Sequence, residues 1–199
     1  MLARPSMAAY WLVGAWSIAE ATFWPIMPDA VLAPLAFFRA GIWWRLVLAA
    51  AAGTALGSWW TYRAGRQGLG RDVDWQPLLV RPRMMATIRV WLAAEGARAV
   101  WRQPASGVPI KVFAHEAGTL GIPLVPFLAQ AVVARTGRFV LAAGGAALTR
   151  RLMPPTVARH RGLLLTSWSV VFSLGLWRTL VAWSGPSEPR HAVSSLPAR

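Results

Sequence analysis

Two carboxylates, Glu20 and Asp29, sit inside one nearly apolar run, EATFWPIMPDAVLAPLAF (20–37), together with Pro25, Pro28 and Pro34. An acid embedded in apolar sequence is costly and is usually retained for function. A second apolar, broken run, PASGVPIKVFAHEAGTLGIPLVP (104–126), carries Lys111, His115 and Glu116. The run that follows it carries Arg135 and Arg138, three residues apart and so neighbours on one helix face. The first segment thus offers acids and the second offers cations. Two kinds of chemistry use such a set. Opposite charges can neutralise one another across a shared cavity. Lys111, Arg135 and Arg138 can also hold a phosphate group, for which Arg and Lys are the usual ligands, while Glu20 and Asp29 carry protons or ions, or balance the cations.

Each residue also has a plainer reading. Asp29 can cap the start of a helix. Glu20 can lie at a membrane surface. Arg135 and Arg138 can flank a short extramembrane turn around Gly137. His115 and Glu116 can pair locally. The familiar hydrolytic constellations are absent: there is no G-x-S-x-G, no H-E-x-x-H and no cysteine, and Thr119 stands where His115 would need its partner. No metal site and no cofactor are expected, and an intramembrane enzyme is the weakest of the functional readings.

The elements that position these residues follow from composition. Of 199 residues 56% are hydrophobic, only 14% are charged, and mean hydropathy is +0.43. Soluble domains carry about a quarter charged residues, so the expected class is an all-α integral membrane protein. Thirteen tryptophans fit interfacial belts. The net charge of +14 comes from arginines that punctuate apolar segments and form no single basic face. This pattern argues for juxtamembrane charge and against a nucleic-acid partner. Lys111 is the only lysine.

Residues 7–23 read as a first helix that is not cleaved, although the Ala19-Glu20-Ala21 stretch imitates a signal-peptide cleavage site. Residues 42–62 read as the best span, bracketed by Trp43-Trp44 and Trp59-Trp60 about 24 Å apart at helical rise. Within it Ala49, Gly53 and Gly57 have the spacing that lets another helix approach, including one from a second copy in a homo-oligomer. Residues 63–83 form an Arg-rich loop. Residues 83–102 suit a basic amphipathic helix lying in the interface, or a short helix packed on the loop. Residues 128–148 form an apolar run interrupted by Arg135, Gly137 and Arg138. A basic loop at 150–161 leads to a last span at about 163–183, and 184–199 is a disordered tail.

Backbone broken by proline cannot face lipid and needs cover from protein or water. The segments at about 20–38 and 104–126 therefore read as two opposed re-entrant hairpins, with geometry set by Pro25, Pro28, Pro34, Pro109 and Gly118. Two such segments in two halves of a membrane chain mark a transporter-type site.

In order, EATFWPIMPDAVLAPLAF, AAAAGTALGSWWTYRAGRQG, GVPIKVFAHEAG and FLAQAVVARTGRF resemble the DedA family of VTT-domain (SNARE-associated Golgi protein) membrane proteins, nearest its YqaA-like bacterial branch. The likeness covers about residues 16–148, within a membrane domain of 1–183. It implies two re-entrant hairpins embraced by transmembrane helices in a bacterial inner membrane. It further implies translocation or scrambling of a phospholipid or polyprenyl-phosphate lipid in membrane homeostasis. The family's acids fall on Glu20 and Asp29, its second-hairpin basic position on Lys111, and its G-x-x-R-like element on Arg135 and Arg138. Many members carry two arginines around the second hairpin's proline. Here only Lys111 is placed there, with Ala105 or Ser106 at the earlier position. A non-transporting membrane scaffold is the competing expectation.

Overall fold

The computed structural model describes residues 7–68, 80–154, 156 and 159–184. Every regular element among them is helical. In chain order these are α1 (Met7–Thr22), α2 (Asp29–Phe38), α3 (Trp43–Arg66), α4 (Pro82–Glu95), a 3₁₀ segment (Gly96–Arg102), α5 (Gln103–Ser106), α6 (Ile110–Thr119), α7 (Leu124–Leu152) and α8 (Arg161–Ala182). Most of the loop expected at 63–83, including Arg71, Asp72 and Asp74, lies outside the described residues, as does the tail beyond Ser184.

Two helices, α7 and α8, are long and apolar enough to cross a membrane. This shifts the emphasis from the sequence reading, which favoured 42–62. That stretch does form the 24-residue α3, but its Ala, Gly, Ser and Thr residues make it a packing helix. It contacts α1, α6, α7 and α2 and is the hub of the bundle. A Cβ on Gly57 would stand 2.7 Å from the Ala21 Cβ and 2.8 Å from the Ile18 carbonyl oxygen. One on Gly53 would collide with the Gly14 carbonyl oxygen. The small-residue face is therefore occupied by α1 of the same chain.

α6 meets α3 equally closely. A Cβ on Gly65 would strike the His115 carbonyl, and one on Gly118 would strike the Tyr62 carbonyl and lie 2.8 Å from the Arg66 nitrogen. Gly118, expected to shape a hairpin, instead sets the spacing of two helices. Backbone on both sides leaves no room to give, so Gly118→Ala is expected to cost about 1–3 kcal/mol through overpacking. Gly137, with nothing within 4 Å of its Cβ position, is the control: Gly137→Ala should stabilise by up to about 1 kcal/mol through helix propensity. Thermal unfolding of the two purified variants checks the contrast.

Both proline-rich segments are helix, break, helix. In the first, α1 stops at Thr22, Pro25 lies in the break, and Pro28 precedes α2. Pro34 lies inside α2, where it removes the N–H that would bond the carbonyl four residues back. That carbonyl, on Ala30, accepts instead from the Trp168 indole of α8 at 3.2 Å. In the second, Gly107 at φ 70° turns the chain after α5. Pro109 opens α6 with ψ 143°, and Gly121 at φ 69° turns it toward α7.

The stretch read as an interfacial helix is α4 and the 3₁₀ segment. Met84, Ile88 and Leu92, one turn apart, are buried in a cluster with Val100, Phe113 and Phe127. This stripe packs against the α6 side of the bundle, while Val90 and Trp101 of the same stretch stay exposed. A second cluster gathers Val13, Leu32, Leu46 and Phe139. α7 runs unbroken through 135–138, which removes the turn read around Gly137.

Candidate functional site

Arg135 stands on α7 one turn after Ala131, in the first apolar cluster, and one turn before Phe139, in the second. It therefore occupies the seam between them. Its Nη2 donates to Glu20 Oε2 of α1 at 2.6 Å, with the two side chains 1% and 0% exposed. Its guanidinium carbon lies 5.1 Å from the centre of the Phe139 ring, a cation–π contact. The pair is single-pronged. Glu20 Oε1 and Arg135 Nε and Nη1 are buried with no hydrogen-bond partner, and so is the Ser17 hydroxyl one turn earlier on α1.

One turn along α7, Arg138 Nη2 lies 2.6 Å from Asp29 Oδ2 and 2.9 Å from the Met27 sulfur. Asp29 is in the first turn of α2, where a negative charge favours the helix dipole. Among the described residues its Oδ1 is buried with no hydrogen-bond partner and its Oδ2 faces Arg138, so it caps no backbone N–H of α2. This pair is more open, at 25% exposure for Arg138 and 8% for Asp29.

Lys111 is used differently. Its Nζ donates to the carbonyls of Phe23 at 3.1 Å and Trp24 at 2.9 Å, just past the end of α1. Two other side chains serve the same break. Thr61 donates to the Ala21 carbonyl at 2.7 Å and the Trp16 indole to the Ile26 carbonyl at 3.0 Å. Buried carbonyls without such donors would be costly, so these bonds are what make the break tolerable inside the bundle. A cation at a helix C-terminus adds a favourable dipole term. Lys111 is fully buried and holds the first break from the second segment. Replacing it by Met should cost about 1.5–3 kcal/mol, the range for a hydrogen bond to a charged group, read as a loss of thermal stability.

The five groups expected to act together are thus neighbours. Glu20 lies in the field of Arg135, Lys111, Asp29 and Arg138. Two carboxylates face three cations, leaving one formal positive charge. His115 and Glu116 stand apart. Glu116, buried on α6, accepts from Arg89 of α4 at 2.7 and 3.3 Å, with His115 Nδ1 3.7 Å away. That arrangement ties α4 to α6.

Sequence reasoning expected a cavity shared by the charged groups but gave α8 no part in its walls. One of about 620 Å³ is walled by Asp29 and Arg138, by Gly107 at the second break, and by Trp168 and Thr179 of α8. A second, of about 500 Å³, is almost wholly apolar and lies among Ala33, Phe37, Leu164 and Trp168. Leu141, Ala142, Trp168 and Val171 line both, so the two are adjoining ends of one groove between α7 and α8. The signal was present in the sequence: Trp168 and the apolar face of α8 had no assigned partner. Among the described residues no cluster of His, Cys, Asp and Glu could hold a metal ion.

The chain is similar to an uncharacterized protein of Haemophilus influenzae, 27% identical over 173 residues that cover 82% of this chain and 84% of that one. No family model matches the chain. No solved structure matches it either.

Proposed function

We propose that this is a DedA-like membrane protein of the bacterial inner membrane that translocates or scrambles a phospholipid or polyprenyl-phosphate lipid. In this reading the broken segments at 20–38 and 104–126 are the two re-entrant hairpins, and α7 and α8 span the bilayer. The observation that carries it is the groove. One end presents a charged pair, Asp29 and Arg138, and the other is apolar. An amphiphile with a phosphate head and a hydrocarbon tail fits such a division. Arg138 is the phosphate ligand that the groove exposes. Arg135 and Lys111 supply positive potential from behind, since both are buried and already engaged. Asp29 is the group that exchanges with the phosphate for Arg138, and it is the proton or ion carrier if transport is coupled. Glu20 balances Arg135.

Reconstitution tests this reading. Liposomes carrying the purified chain and a head-group-labelled phospholipid should expose inner-leaflet label to an external quencher faster than empty liposomes. Equal rates would leave the scaffold reading. In a scaffold, Gly53 and Gly57 would not be the contact to a second chain, because α1 of the same chain covers them.

A further inference from the structure

The far end of α3 carries a feature that the groove does not explain. Trp44, Leu48, Leu56 and Trp60 are exposed and fall at multiples of four residues, so they form one apolar stripe, an inclined ridge that winds about 160° around the helix from Trp44 to Trp60. The stripe runs into Arg63, Arg66 and Gln67, all exposed. A hollow of about 500 Å³ lies among Tyr62, Arg63, Arg66, Gln67 and Leu124. Another of about 200 Å³ lies among Trp59, Trp60, Arg63, Ala64 and Gln67. Arg63 and Gln67 line both hollows, and among the described residues no carboxylate lines either.

The two arginines are held in place by neutral partners. Arg66 Nη1 donates to the Tyr62 hydroxyl at 3.4 Å, and that hydroxyl donates to the Ile122 carbonyl. The Tyr62 ring stacks on Phe127 with centroids 6.0 Å apart. The Arg63 guanidinium lies 5.6 Å from the Trp59 ring centre. Among the described residues neither arginine pairs with a carboxylate.

We propose that the C-terminal end of α3 is a second binding site, separate from the groove, that takes the phosphate of an anionic phospholipid with its acyl chain along the Trp44–Trp60 stripe. Two guanidinium forks suit a phosphodiester. The Gln67 amide can donate to head-group oxygens. Trp59 and Trp60 belong at the depth where head groups meet chains. A helix C-terminus favours basic residues without any ligand, but that effect calls for neither the hollows nor the stripe. The stripe is the reason to choose a lipid over free phosphate. This site rests on the proposed function only for the membrane location of the chain, and it further takes the exposed ridge of α3 to face lipid.

The test is thermal unfolding of the full chain in neutral detergent with short-chain phosphatidylglycerol, phosphatidylcholine or inorganic phosphate. Phosphatidylglycerol should raise the midpoint by about 5 °C more than either of the other two. The excess over phosphatidylcholine should shrink in R63Q and in R66Q taken singly and vanish in R63Q/R66Q, so either single variant decides the matter if the double variant does not fold. It should persist in R138A. An unchanged shift in both single variants overturns the proposal. An equal shift with inorganic phosphate makes this a free-phosphate site, and an equal shift with phosphatidylcholine leaves only a greasy surface. Loss of the shift in R138A would assign the lipid to the groove, which overturns this site while leaving the proposed function standing.

Discussion

Glu20→Gln should cost the chain about 3–5 kcal/mol, the range for breaking a buried ion pair by removing one partner. The reason is what the substitution leaves behind. Arg135 is 1% exposed, and among the described residues Glu20 is the one carboxylate it pairs with. Its Nε and Nη1 have no hydrogen-bond partner even in the wild type. A neutral amide at position 20 would strand a cation in the seam between two apolar clusters. Arg135→Gln should do comparable damage by stranding Glu20. The double variant Glu20→Met/Arg135→Met removes both charges and should recover most of the loss, because a well-packed apolar pair can equal or exceed a buried ion pair. Thermal unfolding of the wild type, Glu20→Met, Arg135→Met and the double variant gives the coupling energy directly. If Glu20→Gln unfolds with the wild type, the pair is structurally idle. The expectation has a practical consequence: lost transport in Glu20→Gln would report lost fold, so that variant cannot identify a proton carrier.

The opposite charges of the two proline-broken segments were legible because charge sign and proline position survive in bare sequence. An acid cannot stay in apolar surroundings without a partner, and the cations nearest in character lay on the second half of the chain. The pairing of Glu20 with Arg135 and Asp29 with Arg138 follows from helix spacing once α7 is known to be continuous. That continuity was the harder inference. Gly137 looks like a breaker, but one glycine costs a helix only about 1 kcal/mol, which 29 residues of helix absorb.

Other features depended on which surface meets which. An apolar stripe reads the same whether it faces lipid or protein, so Met84, Ile88 and Leu92 could not reveal that they pack in the bundle. Small residues at four-residue spacing announce a close neighbour without saying which one. Gly53 and Gly57 meet α1, and Gly65 meets α6. Lys111 was legible as an exception, being the only lysine, yet its targets are backbone carbonyls. Main-chain acceptors have no sequence signature. The donors to the first break, Trp16, Thr61 and Lys111, come from three different helices, and only folding brings them together.

Arg138→Ala and Asp29→Asn should lower head-group flipping in proteoliposomes at least about tenfold, the effect of losing about 1.4 kcal/mol of stabilisation along the transport path, while leaving the fold nearly intact. Both expectations come from where the pair lies. Arg138 is 25% exposed and borders the 620 Å³ cavity, so solvent can take over contacts the mutant loses. Asp29 is buried but borders the cavity, so losing this pair should cost more than the roughly 0–1 kcal/mol of an exposed pair and less than losing the Glu20–Arg135 pair. For transport the balance reverses. A phosphate entering the groove meets Arg138 first, and a planar fork that grips two oxygens cannot be replaced by a methyl group. Arg138→Lys keeps the charge and loses the fork, so it should retain part of the activity. Asp29→Asn leaves Arg138 charged with no carboxylate to return to. Phosphate should then bind more firmly and leave more slowly, giving tighter binding with slower flipping. That split separates exchange from simple scaffolding. A merely structural Asp29 would weaken fold and binding together, and wild-type flipping in both variants would remove the Asp29–Arg138 pair from the mechanism.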